Sequence, residues 1–257
     1  MYTQSTLIAL YTIVRKEISR FTRIWVQTIL PPAISMTLYF VIFGSLIGPR
    51  IGMMNGFSYI DYIAPGIIMM SIINNSYANV VSSFFGAKFQ HHIEEMLVAP
   101  IPNSIILIGF ITGGIVRGFM VGAVVTLVAL FFTELNIHNL GITIAVVFMT
   151  SVVFSLAGLI NAIFAKKFDD ISIIPTFVLT PLIYLGGVFY SIDMLPEFWQ
   201  TVSSFNPILY MVNAFRYGML GESDINITTA FLILTLFTCV LFTVSLHLLN
   251  KGVGIKH

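Results

Sequence analysis

GVFYSIDMLPEFWQTVSSFNPILYMVNAFRYGMLGE, residues 187–222, is the stretch whose reading decides the fold. It is aromatic-rich and largely apolar, yet Asp193, Pro196, Glu197, Pro207, Arg216 and Glu222 interrupt it. That is too apolar for an ordinary loop and too broken for a plain membrane span. Backbone at membrane depth has no water to bond, so a broken segment there must be buried in protein or line a cavity. The stretch points to a membrane protein that moves something rather than one that is merely anchored.

The rest of the chain agrees with a lipid solvent. Of 257 residues, 57% are hydrophobic and only 9% are charged, whereas an average soluble domain is about 25% charged. Mean hydropathy is +0.96. Apolar runs near 26–48, 62–85, 105–132, 141–165, 172–190 and 226–249 are each long enough to cross a hydrocarbon core of about 30 Å. Pro175 and Pro181 predict a kink in the fifth. The runs lack the alternation of barrel strands. The expected fold is all-α: a polytopic membrane protein with six transmembrane helices, an N-terminal interfacial helix over 1–25 and an external re-entrant helical hairpin over 191–222. These form a single transmembrane domain over 1–257, and no cleavable signal is expected at the N-terminus. The lone Cys239 excludes a disulfide framework within the chain and a multi-cysteine metal site. The net charge of +1 gives no reason to expect a nucleic-acid partner.

Basic residues set the orientation. Arg15, Lys16, Arg20, Arg23, Lys88, Lys166, Lys167, Lys251 and Lys256 fall on one side; only Arg50 and Arg216 fall on the other. The positive-inside rule then puts both termini in the cytoplasm and 187–222 outside. Before the first span, Leu7, Tyr11, Val14, Ile18, Phe21 and Trp25 recur at helical spacing, opposite Lys16, Ser19, Arg20 and Arg23. This reads as a helix lying in the cytoplasmic headgroup layer, the plainer reading being a basic flank. Pro31-Pro32 marks the turn into span one.

Three further groups could carry function. In the cytoplasmic loop 86–104, GAKFQHHIEEMLVAPIPNS, residues Phe89, Ile93, Met96 and Leu97 share one helical face. Pro100 and Pro102 stop the helix. Such a helix either docks in a partner or lies on its own bundle. His91, His92, Glu94 and Glu95 lack the spacing of a zinc helix, so no metal is expected. Arg117 sits mid-span and must face the bundle interior or a wet cavity, serving structure or coupling. Gly109, Gly113, Gly114, Gly118 and Gly122 on the same span permit close helix approach. Asn74, Asn75 and Asn79 form either interhelical hydrogen bonds or a polar track. No catalytic residues are identified and no phosphate-binding loop is present, so this chain carries no cofactor of its own.

The loop and the distal stretch together resemble the type-two ABC transporter permeases. The family's cytoplasmic loop carries a glutamate, paired aliphatic residues and a proline; Glu94, Glu95, Met96, Leu97, Val98, Ala99, Pro100 and Ile101 match, although His91 and His92 stand where Gly-Thr is expected. The distal order Gly187, Phe189, Tyr190, Leu195-Pro196, Asn206-Pro207, Arg216, Gly221 also matches. The resemblance covers nearly the whole chain. It implies a bacterial inner-membrane export permease, working as a homodimer with a separate cytoplasmic ATPase that binds ATP and Mg. It implies ATPase coupling through Phe89, His91, Glu94, Glu95, Met96 and Leu97, and an external gate shaped by Asp193, Pro196, Trp199, Pro207 and Arg216. The competing readings are a secondary transporter, which would need a midplane acidic relay, and a structural subunit of a membrane complex.

Overall fold

The computed structural model describes residues 2–135 and 137–254, with side chains from Ser5 onward. Lys256, counted above among the basic residues of the cytoplasmic side, lies outside them.

The chain folds as a helical bundle around one central rod. The helices are α1 (Tyr2–Arg23), α2 (Trp25–Ile51), α3 (Tyr59–Phe89), α4 (His92–Val98), α5 (Asn103–Ala129), α6 (Leu140–Phe164), α7 (Asp170–Tyr184), α8 (Glu197–Ser204), α9 (Pro207–Leu220) and α10 (Ile227–Lys251). The rod is α3, buried along most of its length and packed most extensively against α6 and α5. Ser58 caps its start, its hydroxyl accepting from the Asp61 N–H. Small residues let its neighbours close in. A Cβ at Gly114 would strike Ser155 and Val80, and one at Gly118 would strike Ser76 and Ser151. The glycine spacing on α5 therefore does what the sequence suggested.

Among the described residues, four helices are long and apolar enough to cross a membrane: α2, α5, α6 and α10. The other two expected spans take a different form. The 31-residue α3 is long enough, at roughly 46 Å, but its polar Asn74, Asn75, Ser76, Asn79, Ser82 and Ser83 dilute its hydropathy. The predicted span 172–190 is the 15-residue α7, which ends at Tyr184. Its expected kink is a π-helical turn, Pro175–Leu179, where Pro175 has no N–H to continue the regular ladder. By contrast α2 and α10 lie on the outside, exposing Leu30, Ile34 and Leu38 and Leu232, Leu236 and Val240.

Two local expectations need correction. The N-terminal helix ends at Arg23, with the break at Ile24, so Trp25 belongs to α2. Pro31 and Pro32 do not mark the turn but lie inside α2. The face of α1 that is fully buried is Ile13, Glu17 and Phe21, while Leu7, Tyr11 and Trp25 are exposed. Finally, a small hairpin interrupts the helices: Met53–Met54 pairs with Phe57–Ser58 across Asn55-Gly56, both at positive φ. Asn-Gly is the pair that a two-residue hairpin turn favours.

Candidate functional site

Two polar hubs grip α3, one at its start and one from its middle into its second half. At its first turns, Arg216 of α9 is fully buried among groups from four segments. Its Nη2 donates to the Gly187 carbonyl at 2.6 Å, Nε to the Tyr62 carbonyl at 3.3 Å, and Nη1 to Asn213 Oδ1 at 3.3 Å. The guanidinium also lies 4.1 Å from the centre of the Tyr62 ring. Asp224 supplies the counter-charge, 3.8 Å from Nη1. Its carboxylate accepts from the Tyr62 hydroxyl at 3.2 Å and the Ile192 N–H at 3.2 Å. Each partner is thus held by several hydrogen bonds, which a buried charge pair requires. Gly187 takes φ +70, the left-handed turn that presents its carbonyl inward.

This hub separates Arg216 from the other four residues expected to shape a gate. Asp193, Pro196 and Trp199 are exposed, and Trp199 stands edge-on to Phe198 along the outward α8. Pro196 is the N-cap of α8, and Pro207 opens α9, where a missing N–H is tolerated. Asn206 makes the corner between them: its Oδ1 accepts from the Ile208 N–H, and its Nδ2 donates to the Leu182 carbonyl at 2.6 Å. The second helix of the opening stretch therefore packs inside the bundle, against α3, α6 and α10, while the first lies outside it.

The second hub joins α1, α3 and α5. Glu17 is fully buried and accepts from the Ser83 hydroxyl at 2.7 Å. Arg20 Nη2 donates to both the Asn79 carbonyl and Asn79 Oδ1, at 2.9 and 2.8 Å. Burial pushes the Glu17 carboxyl above the ordinary glutamate range, and Ser83 and Arg20 oppose this only in part. Arg20 was expected to project from the polar face of α1; it folds inward because Asn79 offers it two acceptors. Arg117 donates to Asn75 Oδ1 at 3.1 Å, a neutral partner rather than an acid. Asn75 and Asn79 thus bond across helices, whereas Asn74 Nδ2 returns to its own helix at Met70. The sequence reading missed Glu17 altogether. Its i, i+4 spacing to Ile13 and Phe21 was the available signal.

The loop after α3 is tightly built. Gln90 and His91 turn the chain, His91 at φ 62, and α4 follows with Ile93 buried beneath it. Glu94 and Glu95 face outward, while Met96 and Leu97 are half-buried against the core. Glu94 pairs with His91 at 2.9 Å. Phe89 is not on the face of α4: it closes α3 and packs on Phe168, ring centres 5.1 Å apart. Beside it, Lys88 Nζ donates to the Ile163 and Ala165 carbonyls at 2.6 and 2.7 Å, capping the end of α6. Among the described residues no group of His, Cys, Asp and Glu could hold a metal ion.

A helical bundle with several helices long and apolar enough to span a membrane, tied through charged hubs to a central rod, is the build of a polytopic membrane protein. The chain belongs to the ABC-2 type transporter family, whose model matches residues 8–220. It is 55% identical to the inner membrane transport permease YadH of Escherichia coli strain K12, with 97% of each chain covered. It is also 25% identical to nodulation protein J of Rhizobium leguminosarum bv. viciae over 83% of each chain. A third relative, nodulation protein J of Rhizobium meliloti strain 1021, is 21% identical over 92% of this chain and 91% of its own.

Proposed function

We propose that this permease exports a substrate across a bacterial inner membrane, driven by ATP that a separate cytoplasmic ATPase binds with Mg. One observation carries the mechanism. Helix α3 carries Tyr62, which grips Arg216, in its first turn and ends at Phe89, with only Gln90 and His91 between it and α4. A push on α4 therefore reaches the Arg216 hub along a single rod. In this reading α4 is the coupling helix, with the exposed Glu94 and Glu95 and the flanking His91, Phe89, Met96 and Leu97 against the ATPase. The rod and α7 complete six spans with both termini cytoplasmic, α1 lies at the inner interface, and two copies enclose the pathway. Helices α8 and α9 form the re-entrant external gate, its corners at Pro196 and Pro207. Arg216 is the pivot, and Asp193 and Trp199 lie on the outer lip. Rigid-body tilting of packed helices fits the close packing around α3.

The test is co-purification. The tagged permease should carry an ATPase subunit through purification and raise its ATP turnover. Replacing Glu94→Lys and Glu95→Lys together should return turnover to the rate of the ATPase alone while the permease stays folded. Unchanged stimulation would remove α4 from the coupling role, and absence of any associated ATPase would remove the ATP-driven reading.

A further inference from the structure

We infer that the cavity between the end of α3, the end of α6 and the close of α10 binds the phosphate head of an anionic phospholipid. It measures about 670 Å³. Its depth follows from α6, which is long and apolar enough to span a membrane and ends at Phe164. The cavity is lined by Ile163, Phe164 and then Lys166, so it sits where hydrocarbon gives way to headgroups. Phe85 extends the apolar wall, and Lys88, Lys166 and His91 supply the polar side. No Asp or Glu is among its lining residues. Two acids of the adjoining segments have partners of their own: Asp170 accepts from the Lys166 and Lys167 N–H groups, and Glu94 pairs with His91. Lys88 adds charge from a fixed position, because its ammonium is held by the α6 carbonyls. Lys166 is exposed and can close over a phosphate.

Two cations above an aromatic wall, at a membrane boundary, match a ligand with a charged head and an acyl chain; basic pockets between spanning helices bind anionic headgroups. An acidic protein segment would match the charge but not the apolar wall at this depth. The cavity shares Phe89 and His91 with the ATPase contact proposed above, but its test needs only the permease.

Native mass spectrometry of protein released from nanodiscs containing phosphatidylcholine and phosphatidylglycerol tests it. One phosphatidylglycerol per chain should be retained, phosphatidylcholine should not, and Lys166→Glu should lower retention about tenfold or more. Lys166→Arg should keep it, which separates charge from folding. Equal retention of both lipids, or no effect of Lys166→Glu, overturns the assignment. So does retention that arises only after residues 255–257 are removed, which would make the chain's own end the occupant. Protection of Lys166 from amine labelling only when an ATPase is added would assign the cavity to that partner and overturn it as well.

Discussion

Arg216 shows how much a single charge can organise when every donor is met. Its guanidinium bonds Gly187, Tyr62 and Asn213 and faces Asp224, so α3, the Gly187 turn, α9 and the loop after α9 share one buried centre. Removing one member of a buried pair leaves the other without a partner, typically at about 3–5 kcal/mol. Arg216→Leu should therefore lower the thermal unfolding temperature of the purified protein sharply. Adding Asp224→Asn should recover part of the loss, because the stranded carboxylate is gone. Arg216→Lys should also fall short, since an ammonium cannot span the same fork. Sequence alone singled out Arg216 and Arg117 because cations in apolar stretches demand partners. It could not say that Arg216 finds a carboxylate while Arg117 bonds the neutral Asn75. Partner choice depends on which helices become neighbours.

Among the elements, α3 and α6 set the packing. A Cβ added to Gly158 of α6 would lie 2.6 Å from the Tyr77 carbonyl of α3, a backbone atom that cannot step aside. Overpacking of this kind costs about 1–3 kcal/mol. Gly158→Ala should thus reduce folded yield and thermal stability, measured by fluorescence-detected size exclusion on heating. Gly86→Ala, where a Cβ meets nothing within 4 Å, should be neutral or better. The contrast uses one chemical change at two helix sites, so propensity cannot explain a difference. The positions of the long helices were readable from apolar runs, and the break at Asn206-Pro207 from turn chemistry. The end of α1 was placed to within two residues, at 25 against Arg23, but not from any breaker residue. Pro31-Pro32 is the stronger local breaker, yet the helix breaks at Ile24, where neither proline nor glycine stands. The Asn55-Gly56 hairpin was legible but lay outside the helical frame of the reading.

At the scale of the whole molecule, orientation is the outstanding question for experiment. With Cys239→Ser as background, a single cysteine at Met194 should react with a membrane-impermeant maleimide in intact cells. One at Lys167 should react only after the membrane is opened. Both positions are exposed, so failure to react reports the side and not burial. Labelling of Lys167→Cys in intact cells would invert the topology or change the number of spans. The exposed apolar faces of α2 and α10 explain why the chain needs lipid or other apolar cover around it.

Composition and apolar run length determined by themselves that this is a multi-span helical protein with a broken distal stretch. They suffice because the transfer of apolar and charged groups between water and lipid depends only on residue type and run length. The distal motif order pointed to the family for the same local reason: turns and caps are read residue by residue. Only the tertiary structure decided that 187–222 divides into an outward helix and a buried one. It also decided that α3 is the common rod and that Glu17 is as buried as Arg216. Those outcomes depend on which side chains meet across the bundle. A buried charge is stable only where the fold brings it acceptors or a counter-charge, and spacing along the chain does not record that encounter.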